Sequence, residues 1–244
     1  MTTNVFSIIS SHKIMACDSR WSYETDKFLY YIDDSGYDKI IFNGVIAAVF
    51  AGKANVIELF KKWISSGCNK DTMPNPNGIS IIAYNTLTDK LFTRNHSFTY
   101  PSDKNPQVLF SGSGAFDAMR SWEKCNDCIK SVENACLTDV YTGGSVKFLN
   151  VLSFEHNILI EQTQLSDLFD LLKERGFVMR KHAKQLNTIA EPIKTAMNDP
   201  EILKDVNGLS SGEASFDAPA PEAMIEWQEN EIQELSDFFQ SCNK

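Results

Sequence analysis

Thr2 stands directly after Met1 and opens the β-patterned run Thr2-Thr3-Asn4-Val5-Phe6-Ser7-Ile8-Ile9. Removal of Met1 would leave a free α-amine and a hydroxyl on one residue, a base beside its own nucleophile. An α-amino group titrates at about 7.7–8.0, against about 10.4 for a lysine. It is therefore neutral in useful amounts near pH 7, which is the logic of pairing a threonine with its own amine. The other spacing with chemical content is Cys125-x-x-Cys128, which suits redox or zinc sites. No second cysteine pair or histidine cluster lies near it, and its segment reads as helical. Cys17, Cys68, Cys125, Cys128, Cys136 and Cys242 occur without a secretory context, so ordinary reduced thiols are expected. No metal site and no cofactor is expected. There is no Gly-Lys-Ser/Thr phosphate loop, so nucleotide hydrolysis is not expected either.

A nucleophile at a chain end must be positioned by the elements next to it in the chain. Residues 3–10 and 13–18 are apolar runs separated by Ser11-His12, a hairpin pattern. Segments 39–43 and 45–51 repeat it around Asn43-Gly44, a strong two-residue turn signal. Val56, Leu59, Phe60 and Trp63 fall at helical spacing, predicting a helix over 53–66 that ends near Gly67. Residues 79–86 and 90–94 read as a second strand pair, and Val108–Phe110 as a short strand. Residues 115–138 read as helical with a break near Asn126-Asp127, and 145–154 as a strand that 157–161 extends. The order of strands, helix, strands, helices, strands predicts an α+β layered sandwich. Beyond Glu161 the pattern predicts one helix on Leu165, Leu168, Phe169 and Leu172, and a second over 178–198 with Pro192 near its end. Residues 207–221, rich in Gly, Ser, Ala and Pro, read as a linker. Residues 222–241 carry Ile225, Ile232, Leu235, Phe238 and Phe239 on one stripe, an acidic amphipathic helix.

Five short features in this order make the chain resemble the proteasome β-subunit and HslV peptidase family of threonine N-terminal-nucleophile (Ntn) hydrolases, over about residues 2–154. They are Met1-Thr2-Thr3; Met15-Ala16-Cys17-Asp18-Ser19-Arg20; Lys39-Ile40 before a hairpin ending Phe50-Ala51-Gly52; Gly112-Ser113-Gly114; and Thr138-Asp139-Val140-Tyr141-Thr142-Gly143-Gly144. The resemblance implies a four-layer αββα sandwich in residues 1–161; the residues beyond it, which the resemblance does not explain, read from their pattern as a helical extension at 162–206, a linker at 207–221 and a C-terminal helix at 222–244. It implies Thr2 as nucleophile and, through its amine, base. Asp18 would hold Lys39, whose charge would favour the alkoxide and lower the amine pKa. Ser113 and Asp139 would orient the amine, with Thr142 beside them. The chemistry agrees: a threonine hydroxyl needs an adjacent base and a nearby cation, and a buried lysine needs a carboxylate such as Asp18. Val49 stands where the family usually has the glycine whose N–H forms the oxyanion hole, and a backbone N–H there would still donate. Trp21, Ala47 and Ala51 are the expected walls of the first substrate pocket.

The formal charge is −9 over 244 residues. From Glu201 to Lys244 there are ten acids and two bases, so most of the excess lies in the last segment. Without a basic stripe to neutralise phosphates, nucleic-acid binding is disfavoured. No apolar stretch approaches a membrane span and no signal peptide is read, so a cytoplasmic location is the expectation. The resemblance implies a peptide or protein substrate and a homo-oligomeric ring. Two other readings are open: a catalytically inactive assembly subunit that binds a protein partner through its acidic C-terminal extension, and an open-site amidohydrolase using the same chemistry.

Overall fold

The computed structural model describes residues 2–9, 12–94, 98–100, 107–159, 164–182, 185–211, 214–218 and 225–241. Its first sheet grows from the N-terminal hairpin. Strand β1 (Asn4–Ile9) pairs with β2 (His12–Cys17) on one side and with β10 (Gln107–Ser111) on the other. Strands β9 (Phe98–Tyr100) and β11 (Lys147–Asn150) complete the order β11-β2-β1-β10-β9. Alternation along β1 sends Val5 and Phe6 to opposite faces. Val5 packs with Phe110 beneath helices α2 (Ala115–Cys125) and α3 (Cys128–Thr138). Phe6 packs with Met15, Leu109 and Leu149 against Ile40, Val49 and Ile82 of the second sheet. The two sheets thus share one apolar cluster. As the sequence predicts, the helical stretch breaks at Asn126, which adopts φ +51°, and Asp127 caps the next turn by accepting from the Lys130 N–H at 3.1 Å.

The second sheet contains β3 (Trp21–Glu24), β4 (Phe28–Ile32), β5 (Ile40–Phe42), β6 (Ile46–Lys53), β7 (Ile79–Asn85) and β8 (Lys90–Arg94). Its central strands β6 and β7 are near-continuous apolar runs because both faces are covered. Phe50, Ile79 and Ile81 face α1 (Ala54–Ser65) through Ile57, Phe60 and Ile64. Strands β3 and β4 are not anticipated by the sequence pattern, which assigns no element to residues 19–38. Aromatic and β-branched residues in Phe28–Ile32, all buried, are the available signal.

The C-terminal segment corrects three expectations. Residues 178–198 are not a helix: β12 (Phe177–His182) and β13 (Gln185–Pro192) form a hairpin that adds to β4, with Val178 opposite Tyr30, and only α5 (Ile193–Ala196) is helical. The good helix formers in this stretch are overridden by an available sheet edge and by burial of Val178 and Met179. Residues 207–211 finish helix α6 (Pro200–Ser211), and Phe216 is buried ahead of a two-residue strand β14 (Asp217–Ala218), so 207–221 is no free linker where it is described. Helix α7 spans Glu229–Gln240, shorter than expected, and lays Leu235, Phe238 and Phe239 on the core. Strand β11 is likewise shorter than 145–154, and among the described residues an isolated bridge, Leu149 to His156, continues the sheet; residues 160 and 161 of the expected 157–161 extension lie outside them. Helix α4 (Asp167–Arg175) buries Leu168 and Leu172 as expected.

One buried cation outside the N-terminal region gives a testable consequence. Lys61 of α1 is 7% exposed, donates to the Asp38 carbonyl at 2.7 Å and sits 4.1 Å from the Tyr37 ring centroid. Burial lowers its pKa to about 8 from 10.5. A lysine lowered on folding binds fewer protons folded than unfolded between those two values, so its contribution to stability rises with pH across that window. Below pH 8 it carries the full cost of a buried charge. We expect the stability of wild type relative to Lys61→Met to improve by up to about 3 kcal/mol between pH 8 and 10.5, at 1.36 kcal/mol per unit. Chemical unfolding of both proteins across that range checks it, and parallel pH profiles would refute it.

Candidate active site

The start of β1 and the end of β2 are neighbours because the hairpin pairs Asn4 with Cys17. This register puts Asp18 beside Thr2 and Thr3. The two chains are tied both ways: the Asp18 N–H donates to the Thr3 carbonyl at 3.3 Å, and the Thr3 N–H donates to Asp18 Oδ1 at 2.8 Å. Gly112, just after β10, lies against Thr2 from the other side. It adopts φ +94°, and a Cβ there would overlap the Thr2 carbonyl oxygen. The backbone of Thr2 is thus held between two loops.

Lys39 arrives from the second sheet. It immediately precedes β5, and its carbonyl accepts from the Phe50 N–H of β6 at 3.2 Å. Its ammonium donates to Thr2 Oγ1 at 2.8 Å and to Asp18 Oδ2 at 3.0 Å, and lies 5.5 Å from the Trp21 ring centroid. The Thr2 hydroxyl donates to Asp18 Oδ1 at 2.5 Å. Thr2, Asp18 and Lys39 each have about 1% exposure or less. A buried ion pair is tolerable only when its remaining valences are filled. Here the Arg20 N–H at 3.1 Å and the Gly143 N–H at 3.3 Å also donate to Asp18 Oδ2. Five donors therefore converge on one carboxylate and offset the cost of burying it at zero exposure.

A second chain of hydroxyls runs outward from Thr3. Thr3 Oγ1 and Thr142 Oγ1 are 2.8 Å apart, and Thr142 donates to Asp139 Oδ2 at 2.7 Å. Ser113 Oγ donates to the same carboxylate oxygen. Asp139 caps the end of α3, and its carbonyl accepts from the Thr142 N–H at 3.0 Å, closing the turn that presents Thr142. Arg20 braces this turn: its guanidinium forks onto Asp33 at 2.7 and 2.8 Å, stacks 3.9 Å from the Tyr31 ring centroid and donates to the Val140 carbonyl. Gly143 packs against that guanidinium with no room for a Cβ.

The structure therefore brings Thr2, Asp18 and Lys39 into direct contact, and Ser113, Asp139 and Thr142 into an adjoining network. It does not do the same for the other four candidates. Val49 pairs with Ile40 on one side and Ile82 on the other. N–H directions alternate along a strand. Since the Phe50 N–H points to the β5 side, that of Val49 points to β7, and its side chain fills the inter-sheet cluster. It offers no donor to Thr2. The outward donors on this edge are at Phe50, Gly52 and Ala54; the first is taken by Lys39 and the third by the Phe216 carbonyl at 3.0 Å. Gly52 lies opposite Ala218 of β14, so its outward N–H faces that strand and none of the three is open to Thr2 in this arrangement. Trp21, Ala47 and Ala51 have zero exposure. Trp21 donates to the Tyr37 carbonyl at 2.7 Å, so it supports Lys39 and lines no open pocket. Thr3, Arg20 and Gly143 join the network without having been expected from the sequence; the doubled threonine and the doubled glycine are the signals available. Met1, on which exposure of the Thr2 amine depends, lies outside the described residues.

No histidine, cysteine and carboxylate grouping able to hold a metal occurs among the described residues. Cys125 is exposed while Cys128 is buried, its thiol pushed up to about 12 by desolvation. Among the described residues no helix is long and apolar enough to cross a membrane.

No known family profile matches the chain, and no curated protein matches it. Among solved structures it is similar to Thiobacillus denitrificans BPH, determined in complex with epoxomicin, with TM-score 0.45 and 10% identity over 61% of this chain and 97% of that one. It is also similar to eukaryotic HslV from Trypanosoma brucei, with TM-score 0.39 and 12% identity over 60% of this chain and 97% of that one. Neither likeness transfers a residue role.

Proposed function

We propose that this chain is a threonine-type peptidase with a proteasome-like four-layer αββα core, acting on peptide or protein substrates through Thr2 once Met1 is removed. The observation that supports it is the placement of Thr2 Oγ1 between the Asp18 carboxylate at 2.5 Å and the Lys39 ammonium at 2.8 Å. The freed α-amine takes the Oγ proton as Oγ attacks the substrate carbonyl carbon. A C–O bond forms and the carbonyl electron pair moves onto oxygen, where the outward-facing Gly52 N–H would receive it once β14, which lies opposite it, gives way. The ammonium so formed protonates the leaving nitrogen as the C–N bond breaks, leaving an ester on Thr2. The same amine then deprotonates a water whose oxygen attacks the ester carbonyl, and the ammonium so formed returns the proton to Oγ as the ester C–O bond breaks and the carboxylic acid product leaves. Lys39 stabilises the oxygen as it loses its proton, and Asp18 fixes Lys39. A homo-oligomeric ring is the assembly that this reading implies.

The zero exposure of Thr2 favours a second reading, an inactive subunit of such an assembly. While Met1 is attached, the Thr2 nitrogen is an amide and no base. Intact mass of the native protein, before and after an epoxyketone probe that needs both amine and hydroxyl, separates the two. A Thr2 start with one adduct supports the enzyme; a retained Met1 without adduct supports the inactive subunit.

A further inference from the structure

The second sheet contains a strand that does not belong to its two-dimensional pattern. Along one edge, β6 pairs with β5 from Ala47 to Val49. Strand β5 begins at Ile40, just after Lys39, and beyond that point the edge of β6 is occupied by β14, with Ala218 opposite Gly52 and Asp217 opposite Lys53. The other side of β14 meets β3, Asp217 opposite Ser22. Two residues from the C-terminal extension thus bridge β3 and β6, strands that flank Lys39 and lie just beyond Asp18. Without them the outward backbone groups of Ser22, Gly52 and Ala54 would line an open slot. Such a slot accepts an extended peptide through main-chain hydrogen bonds. It begins about 7 Å from Phe50, the residue bonded to Lys39, at two residues of strand rise.

We propose that Phe216–Ala218 is an internal occupant of an extended-peptide site, held in the slot beside Thr2 and in competition with any peptide that enters it. The inference rests on the proposed peptidase reading for what the incoming peptide is, but not for the occupancy itself. The anchor is Phe216, 1% exposed, its ring 5.4 Å from that of Phe169. Its carbonyl accepts the Ala54 N–H, a helix-start donor on α1, whose N-cap Lys53 makes no side-chain cap bond. The latch is imperfect. Asp217 Oδ1 is buried with no hydrogen-bond partner among the described residues, and desolvation pushes its carboxyl up to about 6. An unsatisfied buried acceptor weakens docking, which suits an occupant that leaves. The zero exposure of Thr2 and Asp18 fits a slot that is closed.

The test uses the full chain and a fluorescein-labelled peptide Ala-Ser-Phe-Asp-Ala, the sequence of residues 214–218. Phe216→Ala removes the anchor, and Ala218→Glu blocks docking while leaving the Phe216 packing intact. Each should bind the peptide at least about tenfold more tightly than wild type by fluorescence anisotropy. A cooperatively melting variant that binds no better than wild type overturns the proposal. If both variants fail to fold, amide exchange of Ala54 in wild type decides: strong protection supports the occupant, and exchange at the free-peptide rate overturns it. The epoxyketone probe reads the catalytic assignment separately. Tighter peptide binding without Thr2 labelling leaves the occupied slot standing and removes the peptidase; equal labelling in wild type and variants without a binding gain does the reverse.

Discussion

Lys39→Met lowers stability by about 3–5 kcal/mol and abolishes Thr2 reactivity with it. The magnitude comes from breaking a fully buried ion pair and leaving one charge uncompensated. Lys39 and Asp18 both have side chains at zero exposure, so solvent cannot screen the loss. Asp18→Asn should cost a comparable amount, since it strands the ammonium next to a neutral amide. The double variant Asp18→Asn with Lys39→Met removes both charges and should recover most of the stability, because a neutral buried pair escapes the desolvation penalty. It should recover none of the chemistry. Urea unfolding of the four proteins gives the coupling energy, and probe labelling gives the activity. Additive losses in the double variant would mean that the two groups do not interact as placed.

Thr2→Ala should reduce peptide hydrolysis by about 10⁴-fold or more, the scale seen when a nucleophile is deleted from a unit that works together. The fold should survive. Removing Oγ1 deletes one hydrogen bond to a carboxylate and one from an ammonium, about 1–3 kcal/mol, well short of global unfolding for a domain of this size. Thr2→Ser keeps the oxygen between the same two charges and should retain measurable activity and probe labelling. Assay of the three proteins on an unstructured fluorogenic peptide checks both statements. Full hydrolysis by folded Thr2→Ala would end the mechanism.

Local pattern carried the core of the fold, and order of motifs carried the site. The pairing of β1 with β2 and the hairpin around Asn43-Gly44 were legible through period-two alternation, although His12, read as part of the first turn, is the first residue of β2 and lies opposite Ile9. Asp18 and Lys39 were legible only through resemblance, since an aspartate after a strand and a lysine before one are common as solvated ends. Contact between them depends on packing one sheet on the other, which no local window contains. Val49 was misplaced for a related reason. Its position along the chain says nothing of which neighbour its N–H faces, and that parity is fixed only once β5 and β7 flank it. The hairpin Phe177–Pro192 was hidden because Lys181 and Gln185 favour helix on their own, while the edge of β4 that claims the segment lies far back in the chain. Phe216 was hidden by its Gly-, Ser- and Ala-rich neighbours, which read as a tether.

The fit of Gly112 over the Thr2 carbonyl is a contact of main chain on main chain. So is the bond from the Asp18 N–H to the Thr3 carbonyl. The oxygen of Thr2 therefore inherits its coordinates from peptide units that every amino acid shares. Drift in the apolar filling between the sheets can soften or stiffen the molecule without relocating that oxygen. Residue 112 has no such freedom: any side chain larger than hydrogen would lever the first threonine away from its two charged neighbours.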